Sequence, residues 1–175
     1  MALSLRVFLF RKMKTKEVQN LLLKHLSKRP DFFVLTTNLS WSLPFEADVF
    51  QITKNRLIVE YEIKVSRADF LKDIKKNKIE SRSNLVYKYD FLKGVSKFKT
   101  LYFQIKRPHK FYFVAPFGII KKDEIPKEFG LIEIYESNQV CINKHAKQLH
   151  AENLASDDLV FEISRNFCLK QCNNE

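Results

Sequence analysis

Turn-forming residues and cysteine are scarce: 3 Gly, 5 Pro and 3 Cys among 175 residues. So little Gly and Pro leaves scant room for long flexible linkers. No glycine-rich phosphate loop occurs, which argues against nucleotide hydrolysis as the function. Cys141, Cys168 and Cys172 are odd in number and lack a Cys-x-x-Cys pair. That disfavours a disulfide framework and a structural zinc site, and fits a reducing compartment. His25, His109, His145 and His150 show no ligand spacing. No apolar run approaches the roughly 20 residues of a membrane span. Ala2 to Phe10 is apolar, but Arg6 interrupts it, no small-residue cleavage site follows, and Arg11, Lys12 and Lys14 come after it rather than before. It is therefore not read as a signal peptide, and the expected location is cytoplasmic, in a bacterial cell or a phage-infected host.

Acid is also in short supply. Against 31 Lys and Arg stand 20 Asp and Glu, for a net charge of +11. Such a balance suits a polyanionic partner whose phosphates exchange counterions for Lys and Arg. An acidic protein or an anionic membrane surface would suit it equally. A hydrophobic content of 45% with 16 Phe supports a globular fold. The length fits one domain over residues 1–175, with a core at about 15–135 and a C-terminal helix at about 157–169.

Along the chain, Val18, Leu21, Leu22 and Leu26 recur at helical spacing within Thr15 to Leu26, and Arg29-Pro30 ends that helix. Phe32 to Thr37 reads as a strand and Trp41 to Pro44 as a turn. Ala47 to Ile52 and Leu57 to Val65 read as a hairpin about Lys54-Asn55. Ser66 opens a helix with Asp69 three residues on, as in a capping box, and it runs on through Phe70 and Ile74 toward Lys78. Residues 79–108 are basic, aromatic and irregular, with a short strand expected at Leu101 to Ile105. Phe111 to Ala115, Leu131 to Tyr135 and Gln139 to Ile142 read as strands, and Asp123 to Glu128 as a helical turn. The order points to an α/β layer built on a mixed sheet.

Chemistry concentrates in the hairpin. Strand side chains alternate faces, so Glu60, Glu62 and Lys64 project together, opposite Val59, Tyr61 and Ile63. If the connection runs from Thr53 to Leu57, Asp48 lies across from Glu62; a tighter turn would need a bulge to do the same. Carboxylates and an ammonium on the buried side of a sheet are costly unless they bind a cation or each other. Metal-dependent cutting of a phosphodiester needs such a set. Asp48 and Glu62, with the carbonyl of Ile63, offer hard oxygen ligands for a divalent cation. Lys64 could position or deprotonate the attacking water, or neutralise charge in the transition state. An arbitrary Glu-x-Lys in a strand is far more often an ordinary surface face than a site. The preceding acid, the apolar setting and the basic chain weigh against that here.

The run Glu46-Ala47-Asp48-Val49-Phe50, followed by Glu62-x-Lys64-x-Ser66-x-x-Asp69-Phe70, resembles the core of the PD-(D/E)XK nuclease superfamily. More narrowly, it is similar to the MmcB-like DNA repair proteins and related phage-encoded proteins. Phe111 to Pro116, Ile125-Pro126 and Gly130 to Ile132 match further landmarks. The resemblance covers residues 46–75 and 110–134. It implies a restriction-endonuclease-like core, a mixed β-sheet flanked by helices, with Asp48, Glu62 and Lys64 as catalytic residues. Mg²⁺ is the implied metal, for which Mn²⁺ would substitute, and DNA the implied substrate. Glu46 stands where such relatives usually carry Arg and adds an acid near the metal.

Glu17 and Glu60 join Glu46 as further candidate acids, although Glu17 is equally well an exposed helix acid balancing Lys14 and Lys16. Asp69 and Asp73 read as a helix cap and a dipole or solvent contact. A phosphate track is drawn from Ser66, Arg67, Lys72, Lys75, Lys76, Lys78, Arg82, Lys106 and Arg107; a plain solvated charged face explains these nearly as well. A dimer would suit a cutter of both strands. The alternatives are a binding accessory that keeps the fold without cutting, and an interaction module for an acidic protein.

Overall fold

Val18, Leu22 and Leu26 recur every four residues along helix α1 (Thr15–Leu26) and are almost wholly buried. A helical stripe of this kind needs an apolar surface to cover, and burial of each such side chain contributes about 1.5–3 kcal/mol. The surface is a sheet. The computed structural model describes residues 12–39, 47–79, 108–152 and 154–172. Among these, six strands line up in chain order: β1 (Phe32–Leu39), β2 (Ala47–Thr53), β3 (Ile58–Ile63), β4 (Lys110–Pro116), β5 (Gly130–Ile134) and β6 (Val140–Lys144). The β1–β2, β2–β3 and β5–β6 pairs are antiparallel, whereas β3–β4 and β4–β5 are parallel. The sheet is therefore mixed.

Helices cover both faces. Val49, Tyr61, Ile63, Val114 and Ile132 turn to one face and pack with the α1 stripe. On the other, Phe70 of α2 (Arg67–Ile79) meets Phe111 and Phe113 of β4, its ring edge-on to Phe113 with centroids 5.5 Å apart. Leu159 and Ile163 of α3 (Asp157–Cys172) cover Phe50, Ile52 and Ile58. The result is an α/β fold, a mixed sheet flanked by helices.

The hairpin follows from its loop. The Thr53 N–H donates to the Leu57 carbonyl at 2.9 Å, and the Arg56 N–H returns to the Thr53 carbonyl at 2.8 Å. Arg56 takes φ 62°, the left-handed residue that closes this kind of loop. Pairing then runs Ile52 with Ile58, Phe50 with Glu60 and Val49 with Tyr61. One more step puts Asp48 across from Glu62, as the Thr53-to-Leu57 connection requires.

Two local expectations change. β1 continues past Thr37 to Leu39. Asp123 to Glu128 is not a helical turn but part of two hydrogen-bonded turns, Glu124 N–H to Lys121 carbonyl and Phe129 N–H to Pro126 carbonyl. Pro126 has no N–H with which to continue a helix there. The expected strand at Leu101 to Ile105 and the turn at Trp41 lie outside the described residues. Among the described residues, no helix is long and apolar enough to cross a membrane.

Candidate functional site

β2 begins where β3 ends, so Asp48 and the Glu62–Lys64 segment share one end of the sheet. Asp48 accepts a hydrogen bond from the Ile63 N–H through its Oδ2 at 2.7 Å. In a strand, the N–H and C=O of a residue point to the same neighbour, so the Ile63 carbonyl faces the Asp48 side as well. Gln19 of α1, absent from the candidates above, donates its amide to the Asp48 carbonyl at 2.9 Å and to Asn38 Oδ1 at 3.2 Å. Gln19 is buried. Its helical neighbours Val18 and Leu22 mask it in a hydrophobicity pattern, and only the packed helix shows that it anchors the start of β2.

Glu60, Glu62 and Lys64 share the face opposite α1, as alternation demands. Glu60 is 4% exposed. The Lys64 ammonium is buried against three carboxylates: Glu62 Oε1 at 2.9 Å, Asp73 Oδ2 at 2.6 Å and Asp69 Oδ2 at 3.6 Å. Burial works to lower the Lys64 pKa, but the charge of Glu62 and the hydrogen bonds to Asp73 and Glu62 outweigh it and hold it above the usual lysine range. Lys64 is thus a fixed cation near neutral pH. Asp69 and Asp73, read from sequence as a cap and a solvent contact, are ion-pair partners from the first two turns of α2. Their spacing of four puts both on the helix side facing the sheet.

Ser66 caps α2 as expected, its hydroxyl accepting from the Asp69 N–H at 3.2 Å. Arg67 forms a two-pronged ion pair with Glu124 and also donates to the Ile119 carbonyl at 3.1 Å. The guanidinium hydrogen bonds pull the Glu124 pKa down to about 2. Arg67 therefore ties α2 to the loop after β4. Lys72 is exposed on α2, and Lys75, Lys76 and Lys78 fall on its last turns. Glu17 lies in the first turn of α1, across the sheet from the Glu62 face. Glu46, Arg82, Lys106 and Arg107 lie outside the described residues.

Among the described residues, no group of three or more His, Cys, Asp or Glu side chains is arranged to hold a metal ion. Asp48, Glu62 and the Ile63 carbonyl offer oxygen atoms of the hard type that Mg²⁺ prefers at this end of the sheet.

No family model matches the chain, and no curated protein does. Among solved structures, the fold is similar to that of a protein of unknown function from Silicibacter pomeroyi, with a TM-score of 0.51 at 16% identity. The match covers 90% of this chain and 82% of that one. At that identity the likeness concerns the fold alone.

Proposed function

We propose that the protein is a metal-dependent deoxyribonuclease that hydrolyses DNA phosphodiester bonds, serving DNA repair, recombination or phage DNA processing. The observation that carries this reading is the meeting of Asp48 with the Glu62–Ile63–Lys64 strand end, with an ammonium held beside the Glu62 carboxylate. The resemblance of residues 46–75 to PD-(D/E)XK nucleases supports it, and the net charge of +11 suits the substrate. Asp48, Glu62 and the Ile63 carbonyl would hold Mg²⁺, which when bound polarises the phosphate and makes water a stronger nucleophile at neutral pH. Lys64 acts as a cation facing developing negative charge, since an ammonium among three carboxylates keeps its proton and makes a poor base. Asp69 and Asp73 position it. The test is cleavage of labelled DNA with Mg²⁺, Mn²⁺ or EDTA by the wild type and Glu62→Gln. Metal-dependent cutting lost in the variant is expected, and equal cutting by both refutes the assignment.

A second reading has one observation in its favour. Lys64 already pairs with Glu62, so that carboxylate has a cation beside it without a metal. A binding accessory that keeps the fold and does not cut would look the same. Salt-sensitive DNA binding without cleavage under any metal distinguishes it.

A further inference from the structure

Val65 follows Lys64 and points the other way from the end of β3, into a cleft of about 540 Å³ at the same end of the sheet. Lys12, Met13, Phe117, Ile119 and Tyr135 line it with Val65. Its volume falls in the range of roughly 300–1,000 Å³ usual for ligand sites. Phe117 and Tyr135 stack with centroids 4.5 Å apart and planes 23° from parallel. Phe117 remains 42% exposed, so one part of its surface is open to a ligand.

That loop is held from several sides. The Phe117 N–H donates to the Ile134 carbonyl at 2.9 Å, and the Ile119 N–H to the Pro116 carbonyl at 3.2 Å. Gly118 occupies the turn at φ 80°, where a side chain would be strained, and a Cβ there would meet nothing within 4 Å. Its N–H donates to Glu133, a buried carboxylate whose other oxygen accepts from the Asn143 amide at 2.5 Å. Arg67 binds the Ile119 carbonyl and so links the loop to the helix that carries Asp69 and Asp73. The aromatic pair is therefore presented by a braced turn, with Phe117 directly after the end of β4 and Tyr135 directly after the end of β5, the next two strands of the sheet beyond β3.

We infer that this cleft binds an unpaired nucleobase of the DNA strand whose phosphate lies at Asp48, Glu62 and Lys64, stacking it on the Phe117–Tyr135 pair. The inference rests on the proposed function and adds a preference for single-stranded or frayed DNA. An aromatic face accepts any base, Lys12 at the rim suits the adjoining phosphate, and the shared strand end keeps phosphate and base on one chain. A duplex has its bases stacked already and offers none to the cleft.

The test measures fluorescence anisotropy of labelled single-stranded and duplex oligonucleotides in EDTA, for the wild type, Phe117→Ala and Phe117→Leu, with melting curves to show that each is folded. Quenching of 2-aminopurine in the single strand reports stacking directly. Alanine substitution at a stacking position weakens single-strand binding roughly 5- to 100-fold. We expect a loss of that size in both variants, loss of the quench, and duplex affinity within about twofold of wild type. Undiminished single-strand affinity in both variants overturns the inference. Full affinity in Phe117→Leu also overturns it, since any apolar side chain would then serve. A change confined to oligomeric state makes the cleft a contact between copies and overturns it too. Duplex cutting without single-strand binding removes this inference and leaves the nuclease reading intact. Phe117-dependent single-strand binding without cutting under any metal does the reverse.

Discussion

Replacing Lys64 with Met removes the ammonium and keeps most of the side-chain volume, so the change isolates charge. Lys64 is 7% exposed at its side chain, Glu62 15%, Asp73 37% and Asp69 50%. Asp69 and Asp73 can turn into water, and their share of the attraction is already screened. Glu62 cannot, and it sits on one sheet face with buried Glu60. Removing one partner of a buried pair costs about 3–5 kcal/mol. With the two outer acids discounted, the loss should be about 2–3 kcal/mol, a fall in Tm of about 5–10 °C for a chain of this size. Urea unfolding measures it through the midpoint at constant slope. Glu62→Gln in the same chain should recover at least about 1 kcal/mol, because the two residues are coupled. A loss under about 0.5 kcal/mol, with no recovery in the double variant, would show that the cluster is solvated and its pairs contribute little.

Asp73→Asn keeps the shape but removes the 2.6 Å charged contact; it should cost under about 1 kcal/mol in stability, since Asp73 is partly exposed, yet lower the cleavage turnover measurably with KM unchanged. Gly130→Ala should destabilise by roughly 1–3 kcal/mol or more, because a Cβ there would lie 2.2 Å from Tyr112 Cδ1 and 2.9 Å from the Ala146 nitrogen; wild-type thermal stability would contradict it. His109 is fully buried and its Nδ1 accepts from the Ile58 N–H at 3.0 Å, which requires the neutral ring. Burial, then the neighbouring His150, hold its pKa below the ordinary 6.5. Its contribution to stability is therefore present above pH 6.5 and lost as pH falls through the lower folded value. Tm should drop on acidification below pH 6.5, and less so in His109→Gln; an unchanged slope in the variant would exclude His109 as the cause.

The hairpin register was legible because loop length dictates it: Thr53 to Leu57 can close in few ways, and one of them sets Asp48 opposite Glu62. The buried face of Glu60 and Lys64 followed from alternation, and the cap at Ser66 from its spacing to Asp69. What escaped depends on contacts between elements distant in sequence. Nothing in Asp69 or Asp73 says that α2 will swing them onto Lys64. That requires the parallel pairing of β3 with β4, which seats Phe70 on Phe113. Gln19 was hidden inside an apolar stripe, and nothing in the strand pattern marks Glu133 as buried under the Phe117 turn. Polar residues that brace a fold look like surface until the layer covering them is known.

The nuclease proposal stands or falls on cleavage of single-stranded, duplex, flapped and four-way-junction DNA by wild type, Asp48→Asn and Glu62→Gln, each with Mg²⁺ and with EDTA. Mg²⁺-dependent cutting by the wild type is expected, abolished in both variants while they still bind DNA. Metal-independent cutting, or cutting that survives both substitutions, would contradict the proposal.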